Sequence, residues 1–111
     1  MSAAIQQYAS DCYPTFLDPS SGELHYRDGI IRLPVQLNRF LLMLAEAAGE
    51  VVSPDEMEPL LRGYAAHTEA ESRRRQMLRR LRSRIEPTGL SVETCKGFGY
   101  RLHGEVRVRT L

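Results

Sequence analysis

Residues 72–84 read SRRRQMLRRLRSR, a run with seven arginines and no acid. Met77, Leu78, Leu81 and Ile85 recur through it at helical spacing and fall within about a quarter turn of a helical wheel. The segment must therefore fold as a helix with an apolar side to bury and a basic side left over. The opposite face collects Ser72, Gln76, Arg79 and Ser83, flanked by Arg75 and Arg82 on one edge and Arg80 on the other. Guanidinium, amide and hydroxyl groups hydrogen-bond base edges and phosphates. A merely solvated helix face mixes signs of charge, and this one does not, which points to a polyanion and first to duplex DNA.

The formal net charge of +1 hides a division: residues 1–72 carry 4 basic and 11 acidic side chains, residues 73–111 carry 11 basic and 3 acidic, or −7 against +8. Salt screens charges beyond about 8–10 Å, so the acidic part need not cancel the field of the basic part, and it offers a surface to a protein partner. The chain has 111 residues, 42% of them hydrophobic, which suits one domain with a modest core. Cys12 and Cys95 show no metal or redox spacing, and the start lacks a signal-peptide core, so a reducing cytoplasmic location, associated with the nucleoid, is expected. The longest apolar run, 40–45, is far short of the roughly 20 residues that cross a bilayer, so no membrane is expected. No nucleophile motif, acidic pair or phosphate loop accompanies the two cysteines or His25, His67 and His103; neither catalysis nor a metal or cofactor is expected. RNA is a lesser option, because aromatic pairs at strand spacing are lacking.

Residues 13–17 and 23–33 read as short strands, with Asp18-Pro19-Ser20-Ser21-Gly22 as one turn and Asp28-Gly29 as a two-residue hairpin turn. A core helix is expected over 35–48, ended by Gly49. Ser53-Pro54-Asp55-Glu56 supplies a cap, a first-turn proline and a capping-box glutamate, predicting a second helix to about Arg62. A polar loop at 64–68 (Tyr64, Ala65, Ala66, His67, Thr68) precedes the arginine helix at about 71–86, and strands at 91–95 and 100–103 flank Lys96-Gly97-Phe98-Gly99. In the tail, Val106 and Val108 alternate with Arg107 and Arg109, a pattern able to extend the last hairpin's sheet.

Antiparallel sheet, three helices and a terminal hairpin make an α+β winged helix-turn-helix. Three stretches resemble OmpR/PhoB-type DNA-binding domains: GEVVSPDE at 49–56, RLRSRIEP at 80–87 and TCKGFGYRL at 94–102. The likeness spans about 13–103, so the chain is read as a winged-helix domain at 13–104 between a flexible N-terminus at 1–12 and a strand-like tail at 105–111. What the resemblance implies is a sequence-specific transcription regulator, of the kind found in two-component systems. Its recognition helix at about 71–86 would enter the major groove of double-stranded DNA, its wing at 94–102 would reach the minor groove, and it would bind DNA as a homodimer. The resemblance also implies a contact between the 64–68 loop and RNA polymerase.

By position, Arg80 and Arg82 match basic family residues that contact DNA, and Arg101 matches a wing arginine used in the minor groove. Gln76 and Arg79 face outward toward base edges, Arg73 and Arg75 suit bases or phosphates, and Lys96 and Arg84 suit phosphates or solvent. Several residues depart from the pattern. Arg74 stands where the family has an apolar residue, and the wheel turns it toward the core, so a carboxylate partner such as Glu46 or Glu71, or snorkelling, is expected. Pro34 replaces a common capping threonine, and a preceding receiver domain with a phosphoacceptor aspartate is not expected. Met1 and the tail favour a complete chain over a fragment of a two-domain regulator. The alternative reading is a winged helix that binds a transcription or signalling protein without DNA specificity.

Overall fold

The computed structural model describes residues 15–61 and 67–109, and these open on a meander of β1 (Phe16–Asp18), β2 (Glu23–Tyr26) and β3 (Gly29–Arg32). Its register sets Leu17 opposite Leu24 and Leu24 opposite Ile31, so one face is apolar and points inward, with Leu17 and Leu24 fully buried. On the other face Phe16 stacks on His25 with ring centroids 4.5 Å apart, and Glu23 pairs with Arg32 at 3.0 Å. The first strand is shifted from the expected 13–17, and Tyr13, like the N-terminus at 1–12, lies outside the described residues. The hairpin turn is Arg27-Asp28, not Asp28-Gly29: Tyr26 pairs with Gly29, which opens β3.

Helix α1 (Val35–Glu46) buries Leu37, Phe40, Leu41 and Leu44, the i, i+3, i+4, i+7 stripe of a core helix. Asn38 is buried on its flank and donates from Nδ2 to the Pro19 carbonyl at 2.8 Å, tying α1 to the first turn. The helix stops two residues before the expected end. Ala48, with φ of 52°, takes the left-handed position ahead of Gly49, at a cost of about 1 kcal/mol relative to glycine. Helix α2 (Pro54–Leu61) has the expected capping box: Glu56 N–H donates to Ser53 Oγ at 3.3 Å and Ser53 N–H donates to Glu56 Oε1 at 3.2 Å. Arg62 and the Tyr64, Ala65 and Ala66 part of the expected loop fall outside the described residues.

Helix α3 (His67–Ile85) starts earlier than the expected 71, so His67 and Thr68 are helical and not loop. Glu69, Ala70 and Glu71 favour helix, and acids near the N-terminus suit the helix dipole. It ends at Ile85, one residue early, because Pro87 draws Glu86–Thr88 into a 3-10 turn. The wing follows as β4 (Ser91–Cys95) and β5 (Gly99–His103).

The tail does not extend the wing. Instead β6 (Arg107–Val108) runs parallel to β1, making a second sheet edge in the order β3-β2-β1-β6. The reason lies in edge occupancy: the outer edge of β5 is already taken by Val52, which exchanges backbone hydrogen bonds with Tyr100 at 2.7 and 2.9 Å. The free edge of β1 accepts the tail instead, through Arg107 N–H to Thr15 O and Arg109 N–H to Leu17 O, both 2.8 Å.

One apolar cluster joins all these parts, with Phe40 at its centre, edge-on to Tyr100 at 6.2 Å. Truncating the fully buried Phe40 to alanine would cost about 3–5 kcal/mol.

Candidate nucleic-acid interface

The inner side of α3 is as expected: Met77, Leu78, Leu81 and Ile85 are all buried in the core. Arg74 shares that side, half-buried, and its Nε donates to the Tyr100 hydroxyl at 3.3 Å; of the two expected carboxylates Glu46 is not paired with it, and the side chain of Glu71 lies outside the described residues. Tyr100 has its ring in the core and its oxygen at the rim, so the Arg74 stem lies along apolar surface while its head reaches a polar atom.

Around the rest of the helix, Ser72, Arg73, Arg75, Gln76, Arg79, Arg80, Arg82, Ser83 and Arg84 are exposed. The arginines divide by use. Arg82 turns to the wing, where Nε and Nη2 donate to the Val92 carbonyl at 3.0 and 2.7 Å and Nη2 also reaches Thr94 Oγ1 at 3.0 Å. On the opposite edge Arg84 Nη1 donates to the Arg32 carbonyl at 2.9 Å. These two side chains brace the end of α3 between β4 and β3. Arg79 and Arg80 pair with nothing among the described residues. Arg73, Gln76 and Arg80 line a cleft against Pro34, Gln36 and Leu37 at the start of α1, so a basic edge continues onto a second element.

The wing is fixed at its base by the Val52–Tyr100 hydrogen-bond pair and by Arg82. Its inner face, Val92, Tyr100 and Leu102, belongs to the core. The other face carries Glu93, Arg101 and His103, where Glu93 Oε1 accepts from His103 Nε2 and lies 3.5 Å from Arg101 Nη2. The His103 hydrogen bond is the largest cause holding the Glu93 carboxyl below its ordinary range, with the Arg101 charge assisting. Arg101 is half-buried, with Nε enclosed and without a hydrogen-bond partner among the described residues, beside Ala45, Ala48 and Gly49. It therefore stands apart from the α3 face, whereas Lys96 is exposed at the wing tip.

The structure thus brings Arg73, Arg75, Gln76, Arg79 and Arg80 onto one outward surface, assigns Arg82 and Arg84 contacts within the chain, and leaves Lys96 and Arg101 at different places on the wing. Thr94, as the second acceptor for Arg82, was not evident beforehand, because no sequence signal ties a strand threonine to an arginine twelve residues earlier. Among the described residues no group of three or more His, Cys, Asp or Glu side chains is placed to hold a metal ion, and no helix is long and apolar enough to cross a membrane.

No protein-family model matches the sequence, and no curated protein matches it significantly. Solved structures do. The DNA-binding domain of E. coli CadC superposes with a TM-score of 0.56 at 22% identity, covering 77% of this chain and 81% of that one. The DNA-binding domain of the response regulator AdeR, in complex with an intercistronic region, superposes with a TM-score of 0.63 at 16% identity, covering 81% of this chain and 94% of that one. With its antiparallel sheet, three helices and terminal hairpin, the chain has the winged-helix fold, as these matches to DNA-binding domains support.

Proposed function

We propose that the protein is a sequence-specific regulator of transcription that binds duplex DNA through the outward face of α3. The observation that carries this reading is the surface of Arg73, Arg75, Gln76, Arg79 and Arg80: all exposed, without an acid among them, on a helix whose other side is locked into the core. A rigid helix with exposed guanidinium groups satisfies the geometric demand of the major groove, which admits one α-helix. In this reading Gln76 and Arg79 face base edges, while Arg73, Arg75 and Arg80 neutralise phosphates or share in base contacts. Arg82 and Arg84 hold the helix between the wing and the first sheet. Lys96 makes the wing's approach to the minor groove; Arg101, engaged with Glu93, stiffens the hairpin behind it. The fold's appearance in the AdeR domain bound to an intercistronic region supports the same reading. Binding as a homodimer on DNA, action in the cytoplasm at the nucleoid, and contact with RNA polymerase near residues 64–68 belong to the same proposal.

Selection from a random duplex library followed by titration tests it. A specific site should bind about a thousandfold or more tighter than scrambled DNA at near-physiological salt. If about five to eight phosphates are neutralised, log affinity should fall against log salt with a slope of about −5 to −7, and Arg80→Ala should reduce that slope by about one. Absence of enrichment, with binding that is only salt-sensitive or lacking, would reject sequence-specific regulation and favour a protein-binding winged helix.

A further inference from the structure

Phe98 stands at the wing tip with 72% of its surface exposed, more than the other two exposed large hydrophobic side chains of the described residues, Ile30 at 58% and Val35 at 65%. Its backbone is held: Phe98 N–H donates to the Cys95 carbonyl at 2.8 Å, closing a four-residue turn with Lys96 and Gly97 at its apex. Two residues later Tyr100 exchanges backbone hydrogen bonds with Val52 through both its N–H and its carbonyl, and one residue before the turn Thr94 receives Arg82. An aromatic ring beside a lysine is thus carried on a short hairpin braced from two directions. Arg82 also joins that hairpin to the edge of the outward face of α3. No ring contact within the described chain involves Phe98. A solitary exposed apolar residue is ordinary on a protein surface, but one preset at the end of a rigid basic arm is already ordered before it meets a ligand.

We propose that Phe98 is an apolar wedge for duplex DNA: with α3 in the major groove, its ring enters the neighbouring minor groove and partly opens one base step. This rests on the DNA-binding reading above and adds to it a specificity-determining residue that carries no hydrogen-bonding group. Proteins that insert apolar side chains from the minor groove unstack a step and kink the duplex toward the major groove. The deformation is easiest at pyrimidine–purine steps, TA and CA/TG, so the sequence beneath the wing is selected by its flexibility and not by base-edge contacts.

The test uses the full chain and the duplex enriched by selection, with 2-aminopurine placed in turn at each adenine of the flank under the wing. Wild-type protein should raise the fluorescence at one step. Phe98→Ala should abolish that rise, weaken binding by about tenfold, the worth of burying most of an aromatic side chain, and erase the preference for a flexible step. The salt slope should stay unchanged, because no charge is removed, whereas Lys96→Ala should lower it. Phe98→Leu should retain part of both effects, and an unchanged circular-dichroism melt would show that each variant folds. Wild-type fluorescence, affinity and step preference persisting in Phe98→Ala would overturn the wedge while leaving DNA recognition intact. Loss of cooperativity between two sites with single-site affinity intact would make the ring a protein contact and overturn it equally. Failure of the wild type to prefer any duplex would sink the DNA-binding reading itself, and the wedge with it.

Discussion

Two hairpins in this molecule share a local grammar and differ in what the fold makes of them. In both, a glycine opens the second strand with a positive φ: Gly29 at 154° and Gly99 at 142°. Around Gly29 there is open space, with no atom within 4 Å of where a Cβ would stand, while at Gly99 that Cβ would lie 2.0 Å from the Val52 carbonyl oxygen. The first hairpin has its flank charges satisfied by Glu23, Arg32 and His25; the second ends in an exposed lysine and an exposed phenylalanine. Two similar turns therefore become a surface corner and an aimed arm, according to whether the second strand is jammed against another element.

The sharpest way to break this contrast is to place a methyl group at both glycines. Gly99→Ala must displace the Val52 backbone as well as strain its own, and should lower unfolding free energy by about 3 kcal/mol or more in urea titration. Gly29→Ala has only the backbone strain to meet and should lose about 1 kcal/mol. Equal losses would mean that Val52 does not set the wing's position.

Arginines provide the next comparison. Removing the Arg82 guanidinium strips three hydrogen bonds from β4 and should cost about 1–2 kcal/mol, with hydrogen exchange rising in residues 91–103. Its effect on DNA should be a weaker preference for the wing's flank at an unaltered salt slope, the opposite signature to Arg80→Ala. Arg32→Ala breaks only an exposed ion pair on the first hairpin and should change stability by within about 0.5 kcal/mol in the same titration.

Acid should give the smallest effect, and it touches both sheets. Asp18 is held below its ordinary range chiefly by the Ser20 side-chain hydrogen bond, and Glu93 chiefly by His103. Each carboxyl has a lower pKa folded than unfolded, so each contributes stability that is present above roughly pH 4–5 and fades as pH falls through the folded value. Stability should be level above that window and decline below it, and Glu93→Gln should flatten part of the decline while Asp18→Asn flattens another. An unchanged acid limb in both variants would remove these carboxylates from the account.

The periodic features were legible in advance. The apolar stripe of α3, the capping box at Ser53 and the glycine-bounded wing each follow from side chains a few residues apart, where local geometry decides. Less legible was the use of each arginine. Whether Arg82 meets a phosphate or the Val92 carbonyl depends on where β4 lies, and that is settled by the packing of Tyr100 and Leu102 far along the chain. Arg74 offers the same lesson, since its acceptor is a tyrosine 26 residues away. The tail misled for a related reason: alternation marks a strand but does not name its neighbour, and the edge of β5 was occupied by Val52, outside any named strand.

That tail has a mechanical consequence. Because β6 runs parallel to β1, a pull exerted between residues 15 and 109 slides the two strands lengthwise past each other instead of peeling them apart. The bonds from Arg107 to Thr15 and from Arg109 to Leu17 then bear the load together, with the Arg109–Asp18 pair beside them. Tension transmitted through the chain's ends would meet this shear-loaded seam before it reached the recognition helix.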